Sequence, residues 1–157
     1  MYYIIQYLCG RLICPFVKKS KEYQNLWIIS ERGVDARDNG YHLFRYIRTN
    51  YPNINICYII SKKSKDRKKV SSLGKIINYR SFKHMLAFLL SDIKISTHVM
   101  GFSADMYFFK ILDKKWKVKG EKIFLQHGIT INDSSYLYAA DNDLSLFVCA
   151  VDRKSVV

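Results

Sequence analysis

The run Leu26-Trp27-Ile28-Ile29 passes straight into Glu31-Arg32-Gly33-Val34-Asp35-Ala36-Arg37-Asp38-Asn39-Gly40, and apolar residues then recur at helical spacing. An apolar strand that empties into a polar, glycine-bearing loop and then opens a helix is the unit from which α/β proteins are built. The carboxyl end of such a strand is where they hold ligands. The same change of character recurs at Ile123-Phe124-Leu125-Gln126-His127-Gly128-Ile129-Thr130, where a strand delivers a histidine and a glycine to its end.

The rest of the chain extends this pattern. Asn25 to Ser30 reads as a buried strand, and Asp38 or Asn39 can cap the following helix. In that helix Phe44, Ile47 and Tyr51 form one apolar stripe, His42, Arg45 and Thr49 share another face, and Pro52 ends it. Ile54 to Ile60 is uniformly apolar, as a parallel strand covered on both faces tends to be. Lys62 to Lys69 carries six basic residues and one acid and reads as a solvated loop. Lys75 to Tyr79 is a third strand, Ser81 caps a helix through Leu90, and Asp92 to Thr97 is a fourth strand. Gly101 to Asp113 is ambiguous, Lys122 to Gln126 is the fifth strand and Leu144 to Ala150 the sixth. Strands alternating with helices at this spacing predict an α/β fold with a doubly wound, mostly parallel sheet.

A length of 157 residues suits one domain with a proper core. Hydrophobic residues at 49% and aromatics at 15% exclude a disordered tail. The formal charge of +13 favours a polyanionic partner, whether nucleic acid, anionic membrane or a phosphate polymer. Cys9, Cys14, Cys57 and Cys149 form no C-x-x-C pair and no metal-like spacing. Cys57 and Cys149 fall in apolar runs and are expected as buried free thiols, in keeping with a reducing cytoplasm.

Residues 1–21 stand apart from the domain at 22–157. Met1 to Val17 is apolar but interrupted by Gln6, Gly10 and Arg11, and Lys18, Lys19 and Lys21 follow. The run is shorter than the ~20 residues a spanning helix needs, and it lacks the basic start of a secretory signal. Two readings stand: an interfacial helix with lysines at its edge, or a first helix packed on the domain.

Several residues carry candidate chemistry. His127, at a strand end with Gly128 behind it, meets the conditions for a general base toward a hydroxyl, or is a satisfied polar residue. Thr130, Asn132 and Asp133 either bind a ligand or cap a helix. Arg32 and Arg37 either face a phosphate near a helix N-terminus or pair with the loop's own acids. Gly33 and Gly40 lie too far apart for a dinucleotide fingerprint. Asp141-Asn142-Asp143 more simply makes a turn, Ser134 and Ser135 lack a nucleophile elbow, and His84 and His98 are isolated.

The run WIISERGVDARDNGYHLFRYIR, followed by a strand, then LGKIINYRSFKH and then KIFLQHGITIND, resembles the CDP-glycerol glycerophosphotransferase family from Trp27 to Ala150. These enzymes prime and polymerise the glycerol- or ribitol-phosphate chains of wall teichoic acid. The resemblance implies the Rossmann-like N-terminal half of a GT-B type transferase that works without a metal or other cofactor. The N-terminal half would receive a polyprenyl-linked acceptor at the cytoplasmic membrane face, and the C-terminal half would bind CDP-glycerol or a related CDP-polyol. By the same resemblance His127 would deprotonate the acceptor hydroxyl, which attacks the donor β-phosphate and expels CMP. Arg32, Arg37, Asp38, Gln126 and Gly128 would contact substrate.

The donor-binding half lies outside the resemblance, so a truncated or half enzyme is expected, with negligible transfer by this chain alone. The alternatives are a non-catalytic module binding membrane or anionic polymer, and a basic nucleic-acid binder. No nucleic-acid reader motif is present, and no nucleic-acid partner is expected.

Overall fold

The computed structural model describes residues 2–104, 118–126 and 144–149. Six parallel strands form one sheet: β1 (Trp27–Ser30), β2 (Ile56–Ile60), β3 (Ile76–Asn78), β4 (Ile93–Ser96), β5 (Glu121–Leu125) and β6 (Leu146–Val148). Their order is β3-β2-β1-β4-β5-β6, so the chain winds outward from β1 in one direction and from β4 in the other. Every neighbouring pair is parallel. This is the doubly wound, Rossmann-like arrangement that the strand–helix alternation predicts, and its point of reversal lies between β1 and β4.

Alternation along the strands divides the core in two. Ile29, Ile56, Tyr58, Ile60, Ile95 and Leu125 face one side, where Phe44 and Ile47 of α2 (Asn39–Asn50) and Val70 of α3 (Arg67–Ser71) cover them. Ile28, Cys57, Ile59 and Ile77 face the other, against Leu86 and Ala87 of α4 (Phe82–Leu90). Lys94 of β4 is also buried, and its ammonium donates to the carbonyls of Ser91 (3.0 Å) and Lys119. Those bonds offset part of the cost of taking a cation out of water.

The helix starts follow local capping chemistry. Asp38 is the N-cap of α2 and accepts from the Asn39 amide at 2.8 Å, while Ser81 caps α4 by accepting from His84 N–H at 3.1 Å. Tyr51, expected on the buried stripe of α2, is its C-cap and half exposed; only Phe44 and Ile47 of that stripe are buried. The basic stretch at 62–69 is not a plain solvated loop. It turns into α3, and Asp66 and Lys69 are bound to the loop after β1.

α1 (Tyr2–Val17) lies on α4. Gln6, Tyr7 and Gly10 are its buried residues, and Tyr7 joins Met85, Phe88 and Leu89 in a core cluster. A Cβ on Gly10 would come within 2.8 Å of Leu89, so the glycine permits the close approach of the two helices. The outer face leaves Ile5, Leu8, Leu12 and Phe16 in solvent, Phe16 at 85% exposure. α1 is therefore a packed first helix that also carries an apolar outer face.

All four cysteines are free thiols. Cys57 is buried as expected, and burial pushes its thiol above the ordinary value. Cys149, also expected as buried, is half-buried, because it follows the edge strand β6 instead of lying within it.

Candidate active site at the carboxyl edge of the sheet

The loop after β1 is built around one side chain. Glu31 is 2% exposed, and its carboxylate accepts from three backbone amides: Arg37 (2.9 Å), Asp38 (3.0 Å) and Tyr41 (3.0 Å). A buried carboxylate is costly unless hydrogen-bonded, and these charge-assisted bonds meet that need. The positive end of α2 adds to them. Gly40 leaves room for the arrangement, since a Cβ there would lie 3.0 Å from Glu31 Cγ. Tyr58 lies under the loop; burial first, and the Glu31 charge second, push its phenol well above the ordinary range.

Glu31 thus occupies amides at the start of α2 that would otherwise be open to a phosphate. The Asn39 amide is likewise taken by the Asp38 carboxylate. An anion held at this end of the helix would therefore have side chains as its free donors, not these helix amides.

The two arginines of the loop are engaged with acids. Arg32 pairs with Asp35, and the Arg37 guanidinium donates to Asp66 at 2.8 Å. Burial raises the Asp66 pKa, but the Arg37 hydrogen bond, the Ala36 N–H and the charge of Lys69 outweigh it and hold the carboxyl below its usual value. Both arginine side chains remain more than half exposed, at 59% and 66%, so their outer N–H groups stay accessible to an anion. Lys69 stands close by, 4.0 Å from the Tyr41 ring centre and donating to the Ala36 carbonyl.

Neighbouring strand ends support the loop. Gly33 has φ +78°, and a Cβ there would lie 2.4 Å from the Tyr79 ring, so only glycine fits at this turn. Its carbonyl accepts from Ser61 N–H at 2.8 Å, which seats the loop over β2 and β3. On the other side Ser96 Oγ at the end of β4 meets the carbonyls of Glu31 (3.3 Å) and His98 (2.6 Å). Gly101 packs beneath, where a Cβ would lie 1.9 Å from the Glu31 carbonyl.

Asn39 connects the two junctions. Its side-chain amide donates to the carbonyl of Gln126 at 2.8 Å, across 87 residues of sequence. Gln126 follows the last residue of β5, and its own N–H donates to Val148 of β6 at 2.8 Å. In the sheet β4 lies between β1 and β5, so the bond spans the end of β4 beside the reversal point.

The structure thus brings Asp38, through its neighbour Asn39, together with Gln126. Arg37 instead turns toward Asp66, which follows β2 on the other side of β1. His127 and Gly128 lie outside the described residues, as do Thr130, Asn132, Asp133, Ser134, Ser135 and Asp141 to Asp143. Among the described residues no group of three or more His, Cys, Asp or Glu side chains could hold a metal. Sequence reasoning treated the loop acids alike and so missed Glu31 as the hub. Its one signal was its position immediately after β1, where a side chain is carried under the following helix. Nothing in the sequence marked Asn39 as more than a cap. His98, judged isolated in the sequence, sits just beyond β4 at the reversal point.

Both strand-end loops fall within a match to a protein-family model. A model described as CDP-Glycerol:Poly(glycerophosphate) glycerophosphotransferase matches residues 13–136. The chain belongs to this glycerophosphotransferase family. The match takes in both junctions and begins within α1. The minor teichoic acid biosynthesis protein GgaB of Bacillus subtilis (strain 168) is 36% identical over 135 residues, which is 84% of this chain and 15% of that relative. No solved structure shows a significant match. Within the family chain described here, loop 31–38 and the end of β5 meet at one edge, held by Glu31 and Asn39.

Proposed function

We propose that this chain forms the acceptor-side domain of a CDP-glycerol-dependent glycerophosphotransferase of teichoic acid synthesis. The observation that carries the reading is the Asn39–Gln126 bond, which joins the two family motifs at the carboxyl edge of a doubly wound sheet. Ligands of such sheets bind at that edge, beside the reversal point.

In this reading His127 is the general base that takes the proton of the acceptor hydroxyl. The freed oxygen attacks the β-phosphate of a CDP-activated polyol, the bond to the CMP oxygen breaks, and CMP departs. Arg32 and Arg37 hold the acceptor phosphate through their exposed N–H groups. Asp38 and Gln126 shape the pocket, and Gly128 lets substrate approach the backbone. The donor is bound by a separate half, in the GT-B manner. No step calls for a metal.

The acceptor is lipid-linked, and α1 suits a place at the cytoplasmic membrane face. Its outer face offers Ile5, Leu8, Leu12 and Phe16, and Lys18, Lys19 and Lys21 stand at its end. No helix among the described residues is long and apolar enough to cross a membrane.

The test is ligand binding by this chain. A polyprenyl-linked glycerophosphate acceptor should bind, and CDP-glycerol should not. Binding of CDP-glycerol with no affinity for the acceptor would assign the chain to the donor side instead.

A further inference from the structure

We propose that the amino edge of the sheet carries a phosphate-binding cleft, separate from the carboxyl edge and independent of any role in transfer. Three cations line it: Lys21 of the segment before β1, Arg48 in the last turn of α2, and Lys75 just before β3. Among the described residues no aspartate or glutamate lines the cleft, and none of the three cations forms an ion pair. Glu22, next to Lys21 in the chain, is taken by Lys83. Like charges gathered in this way repel one another, and a bound anion removes that cost. At about 240 Å³ the cleft is smaller than the roughly 300–1,000 Å³ sites that hold drug-sized ligands, so it suits a small anion. The five residues of β2 separate it from the carboxyl edge by about 15 Å.

Each cation stands on anchored structure. Arg48 Nη1 donates to the carbonyls of Pro52 (3.0 Å) and Ile54 (3.1 Å), which fixes the plane of the guanidinium. Its Nη2 meets no protein acceptor among the described residues. Gly74 lets this side chain lie close, since a Cβ there would come within 3.1 Å of Arg48 Nε. Lys75 follows that glycine, and its carbonyl accepts from Tyr58 N–H at 3.0 Å. The Asn55 side-chain amide donates to the carbonyls of Glu22 and Gln24, both at 3.0 Å, and holds the segment carrying Lys21 against the start of β2. A fixed guanidinium with a free terminal nitrogen, flanked by two exposed ammonium groups, is a donor set matched to phosphate oxygens.

The test is nuclear magnetic resonance on the full 157-residue chain, with inorganic phosphate added at constant ionic strength. The backbone amides of Lys21, Asn55 and Lys75 should shift and saturate. Lys21→Gln and Lys75→Gln together should weaken that binding roughly fivefold, and both side chains are exposed, so the fold is spared. Arg48→Gln should weaken it roughly tenfold, with the melting temperature read alongside because the end of α2 loses two bonds. Lys62→Gln and Lys63→Gln remove the same charge at exposed positions elsewhere and should leave the affinity as it was. Shifts that never saturate, or equal weakening by the two lysine pairs, would overturn the proposal. So would shifts confined to the amides of Arg37 and Asn39, which report on the carboxyl edge.

A free phosphate ester and the headgroup of an anionic lipid present the same group to the cleft. Vesicles of phosphatidylcholine containing phosphatidylglycerol distinguish the two sources. Release of the protein from them by phosphate, beyond that by sodium chloride at equal ionic strength, assigns the cleft to lipid headgroups. Equal release by the two salts, with the amide shifts intact, assigns it to free phosphate esters.

Discussion

At the scale of single residues, two buried titratable groups show opposite solutions to the same problem. Glu31 is buried with its side-chain oxygens accepting from three backbone amides. His84 is fully buried, and burial alone lowers its pKa to about 3. Its Nδ1 accepts from Arg80 N–H at 3.2 Å, which places the proton of the neutral ring on Nε2. Among the described residues that Nε2 has no hydrogen-bond partner. A histidine whose folded pKa lies below its unfolded one binds fewer protons when folded, so acid favours unfolding. Its contribution is whole above about pH 6.5 and is lost as the pH falls from there toward 3. Each unit in that window should remove about 1.4 kcal/mol. Denaturant midpoints followed from pH 7 to 4 should therefore fall in wild type and fall less in His84→Gln. Equal slopes in the two proteins would show that His84 does not titrate as described.

At the scale of elements, α1 answers to two surfaces. Tyr7 and Gly10 bind it to α4, and Ile5, Leu8, Leu12 and Phe16 face outward. Replacing Leu12 and Phe16 together by Gln should leave the melting temperature within a few degrees of wild type, because neither is in the core. The same change should remove most of the binding to vesicles containing anionic lipid, measured by sedimentation. Unchanged vesicle binding would free this face of a membrane role.

Elements are also where the sequence was most readable. Apolar runs such as Ile56–Ile60 and the Asp38 and Ser81 caps mark their elements directly, because strand burial and helix capping act over a few residues. Tyr51 misled because the apolar stripe ran one residue past the end of α2, just before Pro52, which cannot continue the helix. α3 was hidden because its five residues carry mostly charge, and contacts with the β1 loop from 30 residues away hold it in place. The candidate site was legible as two motifs but not as one place. The Asn39–Gln126 bond depends on strand order, which no local pattern encodes.

At the scale of the molecule, winding β1 and β4 in opposite directions brings loop 31–38, the end of β4 and the end of β5 to one edge. The excess of 26 basic over 13 acidic residues gives the chain as a whole a positive field that attracts polyanions. Charge alone leaves several partners open; the proposed function selects a phosphate-bearing acceptor, with His127 as its proposed base. The measurement that bears most directly on this claim is glycerophosphate transfer by His127→Ala, with the donor-binding half supplied and the fold verified by its melting temperature. The account predicts a loss of roughly 10²–10⁴-fold, the contribution expected of a general base. Turnover within a few fold of wild type, at equal stability, would contradict it.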